Sequence, residues 1–258
     1  EGGKRLRPLL MQEVCRLFTG EVSEIVKPFM AAIEMIHTSS LVHDDLPCMD
    51  DDMIRRGKAS TWAEYGEDIG VLAGDALMMY AFETASKAFD AAEDADALLR
   101  AGKAMGILAA KTGVYGMIGG QTVDVELAGG PVPKDKLDFI YRLKTGALLQ
   151  AAMLIGAVLG GAADEDCKIV EDLAGKVGLA FQIQDDILDV IGDSKELGKA
   201  TGSDAQNHKQ TYVTLHGLEE SGREVERLTG EAVAILDSFS GEHEFLKELL
   251  LHLVHRTK

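Results

Sequence analysis

Two groups of aspartates are the residues most able to bind a metal ion. The first, residues 44–52, reads DDLPCMDDD, and Arg55 and Arg56 follow it closely. An acidic run of this kind is commonly a solvated loop. This one follows an apolar segment, however, and carboxylates packed so closely repel one another unless a cation neutralises them. Because their oxygens are hard ligands, they favour Mg²⁺ over a transition metal.

The second group of aspartates lies within residues 181–189, which read FQIQDDILD. On a helix, Asp185 and Asp189 are four residues apart, so they share one face and point at the same volume. The alternative is the polar face of a surface helix, which fits poorly because the rest of the segment is apolar. We call residues 44–52 the first aspartate motif and residues 185–189 the second.

Basic residues are grouped in two short segments that could bind an anion. They are Lys4, Arg5 and Arg7 near the start of the chain, and the pair Arg55 and Arg56. Basic side chains on loops are usually just solvated, but this grouping stands out in a chain of net charge -17. The planar guanidinium fork suits a diphosphate because it binds two oxygens at once. An acidic protein can hold such a substrate when divalent cations bridge carboxylates and phosphates.

The elements that position these residues are predicted to be helices. All five prolines lie in the first 133 residues, and 46% of the 258 residues are apolar while only 5% are aromatic. Apolar residues recur at three- and four-residue spacing, which is typical of helices packed on a core. The sequence predicts an all-α fold in a single domain, 1–258, with an upstream segment missing before Glu1. The predicted helices are 30–45, 71–89, 98–108, 137–159, 168–191 and 225–254, with a long loop at 192–210.

Composition and charge exclude several classes of protein. The charge of -17 argues against a nucleic-acid binder, which would carry a basic surface. We expect no membrane span, because no segment approaches roughly 18 uncharged apolar residues. Three cysteines without CxxC spacing indicate neither a disulfide framework nor a thiolate zinc site, which fits a reducing compartment. We therefore expect a cytoplasmic protein, or a plastid one if a transit peptide has been removed.

The two aspartate motifs, about 140 residues apart in a helical chain, resemble those of the trans-prenyl diphosphate synthases, the farnesyl and geranylgeranyl diphosphate synthase family. The resemblance covers essentially the whole chain. The DDxxxxD spacing of the first motif is similar to that of bacterial farnesyl and plant geranylgeranyl enzymes. Further matching segments, in order, are Gly3–Pro8, Ile36-His37, Arg55–Gly57, Gly74-Asp75, Gly120-Gln121, Lys144-Thr145, Lys199 and Lys209.

The resemblance implies an isoprenoid synthase fold, in which about ten or more helices surround a deep cavity with the two motifs facing each other at its mouth. It also implies a homodimer and three Mg²⁺ ions per active site. The implied reaction joins an allylic diphosphate (dimethylallyl, geranyl or farnesyl) head-to-tail to isopentenyl diphosphate by ionisation, condensation and elimination.

Roles for individual residues follow from the resemblance, position by position. Direct magnesium ligands would be Asp44, Asp50 and Asp185, and supporting carboxylates would be Asp45, Asp186 and Asp189. The allylic diphosphate would be held by Arg55, Lys144, Lys199 and Lys209. Isopentenyl diphosphate would be held by Lys4, Arg7, His37 and Arg56, although His37 could instead be a core histidine. The reaction centre would be lined by Lys144, Thr145, Gln121 and Gln182. Closure of the loop carrying Lys199 and Lys209 would exclude water.

Product length is predicted from the helix that runs into the first aspartate motif. Ser39 and Ser40 lie five and four residues before Asp44, about one turn below it at roughly 1.5 Å per residue. In farnesyl-producing relatives, a large aromatic ring commonly stands at one of these positions and stops chain growth. Two small side chains favour a deeper pocket, toward Ile36, and a twenty-carbon product, with fifteen carbons as the next choice. Tyr80, or an adjacent methionine, could instead form a floor.

Two other interpretations remain open. The chain could be a non-catalytic partner subunit of such an enzyme, but those subunits typically lose residues from one motif, and both motifs are complete here. A terpene cyclase of related fold is disfavoured because Lys4, Arg7 and Arg56 would have no substrate to bind.

Overall fold

The structure is a computed structural model that describes residues 3–128, 130, 132–191 and 210–254. The predicted all-α fold is confirmed. Its helices are α1 Leu6–Thr19, α2 Val26–Asp44, α3 Thr61–Tyr65, α4 Glu67–Asp90, α5 Ala95–Thr112, α6 Met117–Glu126, α7 Lys134–Ile140, α8 Gly146–Leu159, α9 Asp164–Ile191, α10 Tyr212–His216, α11 Leu218–Leu236 and α12 Glu244–Val254. A π-helical turn, Tyr141–Thr145, connects α7 to α8. Two short strands are β1 Ile54–Arg55 and β2 Lys58–Ala59.

Helix α8 forms the centre of the fold. All of its residues are buried, and it packs against α1, α5 and α9. Small residues allow the close approach: a Cβ on Gly156 would lie 2.3 Å from the Met11 carbonyl oxygen. The run Lys134–Leu159 is long and apolar enough to cross a membrane, but 72% of its most apolar window is buried. Its apolar character is therefore explained by its place in the core.

Helices α2 and α4 pack side by side and bring the first aspartate motif to its position. Phe29, Ile33 and Ile36 on α2 are fully buried. Near the end of the pair, a Cβ on Gly74 would lie 2.0 Å from His43 Nε2, so only glycine leaves room for that ring. Helix α2 then ends at Asp44, the first residue of the motif.

Some predicted boundaries are wrong. The single helix predicted at 225–254 is two helices, because the chain turns between them and packs on the end of α1. A Cβ on Gly241 would lie 2.2 Å from the Leu17 carbonyl oxygen. The helix predicted at 137–159 is interrupted by the π-helical turn. Nearly all of the loop predicted at 192–210, including Lys199 and Lys209, lies outside the described residues.

The short hairpin after the first motif was not predicted. Ile54 pairs with Ala59 and Arg55 pairs with Lys58. The two turn residues, Arg56 and Gly57, have φ of 53° and 75°. A two-residue hairpin turn requires this left-handed backbone, which glycine adopts easily. The turn fixes both arginines close to the first aspartate motif.

Candidate active site

A single cavity of about 1280 Å³ collects the predicted site residues from distant parts of the chain. Asp44 reaches it from α2 and Asp185 from α9, so the two aspartate motifs meet there. The predicted residues that line it are Lys4, Arg7, His37, Ser40, Asp44, Arg55, Arg56, Gln121, Lys144, Thr145, Gln182 and Asp185. The cavity thus has acidic, basic and amide groups on its walls.

The carboxylate of Asp44 is hydrogen-bonded and largely buried at the cavity. Gln121 Nε2 donates to its Oδ1 over 2.8 Å. Burial raises the pKa of Asp44 to about 6, Lys144 and Arg55 oppose the shift, and the like charges of Asp50 and Asp45 add to it. A carboxylate whose charge is destabilised in this way gains from a bound cation.

Asp45 and Arg55 form an ion pair beside the cavity. Asp45 is buried, and Arg55 Nε donates to its Oδ1 over 2.8 Å. Arg55 also contacts Asp52, with 3.0 Å between Nη2 and Oδ2. Burial lowers the pKa of Arg55, but the hydrogen bond and charge of Asp45 outweigh it and raise the pKa. Asp45 therefore orients the guanidinium group of Arg55. Asp50, which was predicted to be a direct magnesium ligand, is exposed beyond the cavity wall.

The donor set fits magnesium that is shared with a phosphate ligand. Within the described ranges, no three His, Cys, Asp or Glu side chains come together as a metal cage. Magnesium is normally held by one or two carboxylates together with substrate phosphates, rather than by a cage made only of protein. Asp44 and Asp185, on one cavity, supply carboxylates of this kind.

A basic cluster of Lys4, Arg5, Arg7 and Arg56 lines another part of the cavity. Arg7 Nε is buried and donates to no atom of the described residues. Burial lowers the pKa of Arg7 to about 10, although the charge of Glu34 opposes the shift. A buried donor without a partner is costly, so the cluster is suited to an anionic ligand.

Glu34 and His37, one turn apart on α2, lie beside the basic cluster. Arg5 Nη1 donates to Glu34 Oε1 over 2.9 Å. Burial, followed by the charges of Arg7 and Arg56, lowers the pKa of His37 to about 3. His37 is therefore neutral at physiological pH, and its ring lines the cavity with one N–H to donate.

The π-helical turn presents Lys144 and Thr145 to the cavity. Lys144 Nζ donates to Asp124 Oδ2 over 2.6 Å. Burial lowers the pKa of Lys144, but Asp124 outweighs it and raises the pKa. The backbone of α6 packs directly on this turn, since a Cβ on Gly120 would lie 2.2 Å from Lys144 N. π-helical turns often occur at functional sites, and this one directs a cation toward the cavity.

The adjacent aspartates of the second motif point in different directions. Asp185 lines the cavity. Asp186 is buried and accepts hydrogen bonds from Tyr141 Oη at 2.5 Å, Tyr212 N at 2.9 Å and Gln182 Nε2 at 3.4 Å. Asp189 is also buried. Successive helical residues differ by about 100° in direction, so neighbours cannot share one target.

Comparison with known proteins identifies the family. The model of the family described as polyprenyl synthetase matches residues 1–246. The chain belongs to this family. The family recognised from the sequence motifs is thereby confirmed.

Individual polyprenyl synthetases resemble the chain over most of its length. It is 45% identical over 234 residues to the heterodimeric geranylgeranyl pyrophosphate synthase large subunit 1 of Arabidopsis thaliana, covering 90% of this chain and 62% of that protein. It is 44% identical over 260 residues to the dimethylallyltranstransferase of Fischerella ambigua, covering 99% and 73%. The chain spans about two thirds of the length of the plant relatives it matches.

A solved structure shares the fold of the chain. The geranyltransferase from Helicobacter pylori, complexed with magnesium and isoprenyl diphosphate, superimposes with a TM-score of 0.83 at 35% identity. The match covers 98% of this chain and 83% of that one.

Apolar side chains also line the cavity of this polyprenyl synthetase, and we call them its apolar wall. The lining residues are Leu41, Met78, Met117, Ile118, Val125, Leu148 and Phe181. Their side chains come from α2, α4, α6, α8 and α9. The cavity therefore offers both polar and apolar surface to a ligand.

Three of the four residues predicted to control chain length lie outside this cavity. Ser39 is fully buried and donates to the Ile36 carbonyl oxygen over 2.8 Å, and Ile36 is fully buried as well. Tyr80 is 48% exposed on α4. Ser40 alone lines the cavity, because its direction on the helix differs from that of Ser39.

Several residues in or beside the cavity were missed from the sequence. Glu34 and Asp124 each pair with a basic residue distant in sequence. His43 Nε2 lies 3.6 Å from Asp75 Oδ1, and both side chains line the cavity. The segments carrying Gly74-Asp75 and Gly120-Gln121 stood out only through the family resemblance, and no local pattern marked Glu34 or Asp124.

Proposed function

We propose that the chain is a magnesium-dependent prenyltransferase that joins an allylic diphosphate to isopentenyl diphosphate. The observation that carries this proposal is the cavity itself. It places carboxylates of both aspartate motifs, a basic cluster with an unpaired buried donor, and an apolar wall around one volume. Two diphosphates and a growing hydrocarbon tail need these three surfaces.

Magnesium would be held by Asp44 and Asp185, with Asp50 beside them, and we retain three ions per site from the family resemblance. When bound, Mg²⁺ neutralises charge on the allylic diphosphate and stabilises the pyrophosphate that leaves. Asp45 supports the site by orienting Arg55. Asp186 and Asp189 support it from buried positions on α9.

The two diphosphates would bind to different walls. Arg55 and Lys144 would hold the allylic diphosphate near the aspartates, and Lys199 and Lys209 stay assigned to it as predictions. Isopentenyl diphosphate would bind to Lys4, Arg7 and Arg56 of the basic cluster, and to His37 beside them. The unpaired N–H of Arg7 supports this assignment, since a phosphate oxygen would accept its proton.

The reaction would follow from this arrangement. The allylic C–O bond breaks, and its electron pair leaves with pyrophosphate. The double bond of isopentenyl diphosphate then attacks the allylic cation and forms the new C–C bond. The cation formed by this attack loses a proton to pyrophosphate, and the electrons of that C–H bond form the double bond of the product. The oxygens of Gln182, Gln121 and Thr145 can orient toward positive charge without forming a bond to it.

The main product would be geranylgeranyl diphosphate, with farnesyl diphosphate as the next choice. Ser40 is small and lines the cavity, and Met78 of the apolar wall lines it as well. Tyr80 does not reach the described cavity, so it forms no floor within one protomer. The relatives named geranylgeranyl synthases, at about 44% identity, support the longer product.

The assembly would be a homodimer. Large apolar side chains are exposed on α4, at the start of α5 and before α6, including Leu72, Met79, Leu99 and Tyr115. A second copy would cover surfaces of this kind. The alternative of a partner subunit has one observation in its favour, because one relative is named as the large subunit of a heterodimeric synthase. Both aspartate motifs are complete here, which favours a catalytic chain in either assembly.

Product analysis tests the proposed function. The purified protein is incubated with labelled isopentenyl diphosphate, Mg²⁺ and each allylic starter in turn, and the products are sized after dephosphorylation. We expect a labelled twenty-carbon alcohol in the presence of Mg²⁺. We expect none when EDTA is added before the reaction. If no starter gave an elongated product while a known synthase did so in parallel, the proposed function would be wrong.

A further inference from the structure

A buried hydrogen-bonded contact joins the second aspartate motif to the π-helical turn. Tyr141 Oη donates to Asp186 Oδ2 over 2.5 Å. Tyr212 N lies 2.9 Å from the same oxygen and 3.2 Å from Tyr141 Oη. Tyr141 is 7% exposed and Asp186 is 4% exposed. The three groups are therefore fixed by hydrogen bonds beside a smaller cavity of about 140 Å³, which Tyr141 and Asp186 line together with Lys144 and Thr145.

Each partner belongs to an element that bears on the reaction centre. Tyr141 is the first residue of the π-helical turn, which carries Lys144 and Thr145. Asp186 follows Asp185 directly on α9. The hydroxyl group of Tyr141 therefore links the π-helical turn, which carries the cation of Lys144, to α9, which carries the carboxylate of Asp185.

The link also fixes the direction of Asp185. Adjacent residues on a helix diverge by about 100°, so rotation of α9 about its axis would move both aspartates together. Asp186 cannot move far while it accepts from Tyr141 and from the backbone of Tyr212. Gln182, one turn earlier, is held by the same carboxylate, with 3.4 Å between Nε2 and Oδ1.

We infer that Tyr141 is a positioning residue whose hydroxyl group, acting through Asp186, sets the distance between Asp185 and Lys144 across the reaction centre. The inference rests on the proposed function, and it adds a residue outside both aspartate motifs. Tyr141 lines the smaller cavity and not the main one, so its hydroxyl group is expected to act on the reaction through Asp186.

Removal of the hydroxyl alone gives the sharpest test. Tyr141→Phe keeps the buried ring and deletes the hydrogen bond. A misplacement of reacting groups by about 1 Å can cost about a hundredfold in rate, so kcat should fall by about ten- to a hundredfold. The apparent KM for isopentenyl diphosphate should change by less than about twofold, because the basic cluster is untouched. Tyr65→Phe, at a position 68% exposed at the end of α3, is the matched control and should behave as the wild type.

A binding measurement separates positioning from a loss of stability. Calorimetry with Mg²⁺ and inorganic pyrophosphate reports on the aspartate site without any turnover. Tyr141→Phe should bind the pair several-fold more weakly, at a temperature where circular dichroism shows it fully folded. A purely structural role would lower the melting temperature and leave this affinity unchanged in the folded protein, and that result would overturn the inference.

A double-mutant cycle tests the route through Asp186. In an Asp186→Asn background, adding Tyr141→Phe should reduce kcat by less than about threefold, because the shared contact is already altered. Independent, multiplying effects would contradict the inference. If Tyr141→Phe does not fold, Asp186→Asn alone is measured. It should reduce pyrophosphate affinity and kcat but not isopentenyl affinity, and a wild-type profile would overturn the inference. If the wild-type protein showed no prenyl transfer, that result would refute the proposed function and not the role of Tyr141.

Discussion

Replacement of Asp44 by Asn should make the metal-free protein more stable at alkaline pH while it removes a proposed magnesium ligand. Burial raises the pKa of Asp44 from 3.8 to about 6. Because the folded-state pKa lies above the unfolded value, the protonated form favours folding. That stability is fully present below pH 3.8 and is lost as pH rises through about 6.

The size of the effect follows from the shift. A difference of about 2 pKa units, at 1.36 kcal/mol per unit, gives Asp44→Asn an advantage of about 3 kcal/mol at pH 8. At pH 4 the same relation leaves less than about 1 kcal/mol. The asparagine keeps an oxygen that can accept from Gln121 Nε2, so the hydrogen bond seen at Asp44 can persist.

Urea denaturation in EDTA at pH 8 and pH 4 measures this difference in the free energy of unfolding. Glu93→Gln, at an exposed position before α5, serves as the control and should stay within about 0.5 kcal/mol of the wild type at both values. The argument about the buried carboxylate would be refuted if Asp44→Asn were less stable at pH 8, or if its advantage were equal at pH 8 and pH 4.

Three further predictions concern the reaction. Asp185→Ala should lower turnover by about two decades or more, the scale expected for loss of one electrostatic group, and EDTA should abolish turnover in the wild type; near-normal rates in either assay would contradict the metal assignment. Arg56→Ala should chiefly raise the KM for isopentenyl diphosphate, whereas Lys144→Ala should impair use of the allylic diphosphate. Steady-state kinetics with each substrate varied in turn measure both effects. If the two variants behaved alike, the assignment of separate diphosphate sites would be wrong. Ser40→Tyr should shift the product toward fifteen carbons, measured by chromatography, whereas Ser39→Tyr should overpack the core and lower the melting temperature; an unchanged product from folded Ser40→Tyr would place the length stop elsewhere.

Much of the fold could be predicted because helices leave a periodic pattern. Helix α9 begins at Asp164, four residues before its predicted start, and it covers the rest of the predicted range through Ile191, the last described residue before the gap. The break between α11 and α12 left no such signal. It depends on Gly241 packing against the Leu17 carbonyl oxygen, a contact between the two ends of the chain that local sequence cannot reveal.

In the candidate site, too, residues marked by a local sequence pattern could be predicted, whereas residues that join the site only through tertiary contacts could not. The aspartate motifs could be found because like charges cluster in sequence. Glu34 and Asp124 are single carboxylates whose basic partners lie 29 and 20 residues away, so only the folded chain shows that they belong to the site. Ser39 and Ser40 were treated alike because both are close to Asp44 in sequence, whereas the helix turns one into the core and the other into the cavity.

The most direct test of the central claim is a crystal structure with Mg²⁺, isopentenyl diphosphate and an unreactive thio analogue of the allylic diphosphate. The proposed function predicts that metal ions connect the allylic analogue to Asp44 and Asp185. It also predicts that the other diphosphate contacts Arg7 and Arg56 without metal. A complex with the two diphosphates exchanged, or with no metal on either aspartate, would contradict the claim that this one cavity holds two differently bound diphosphates.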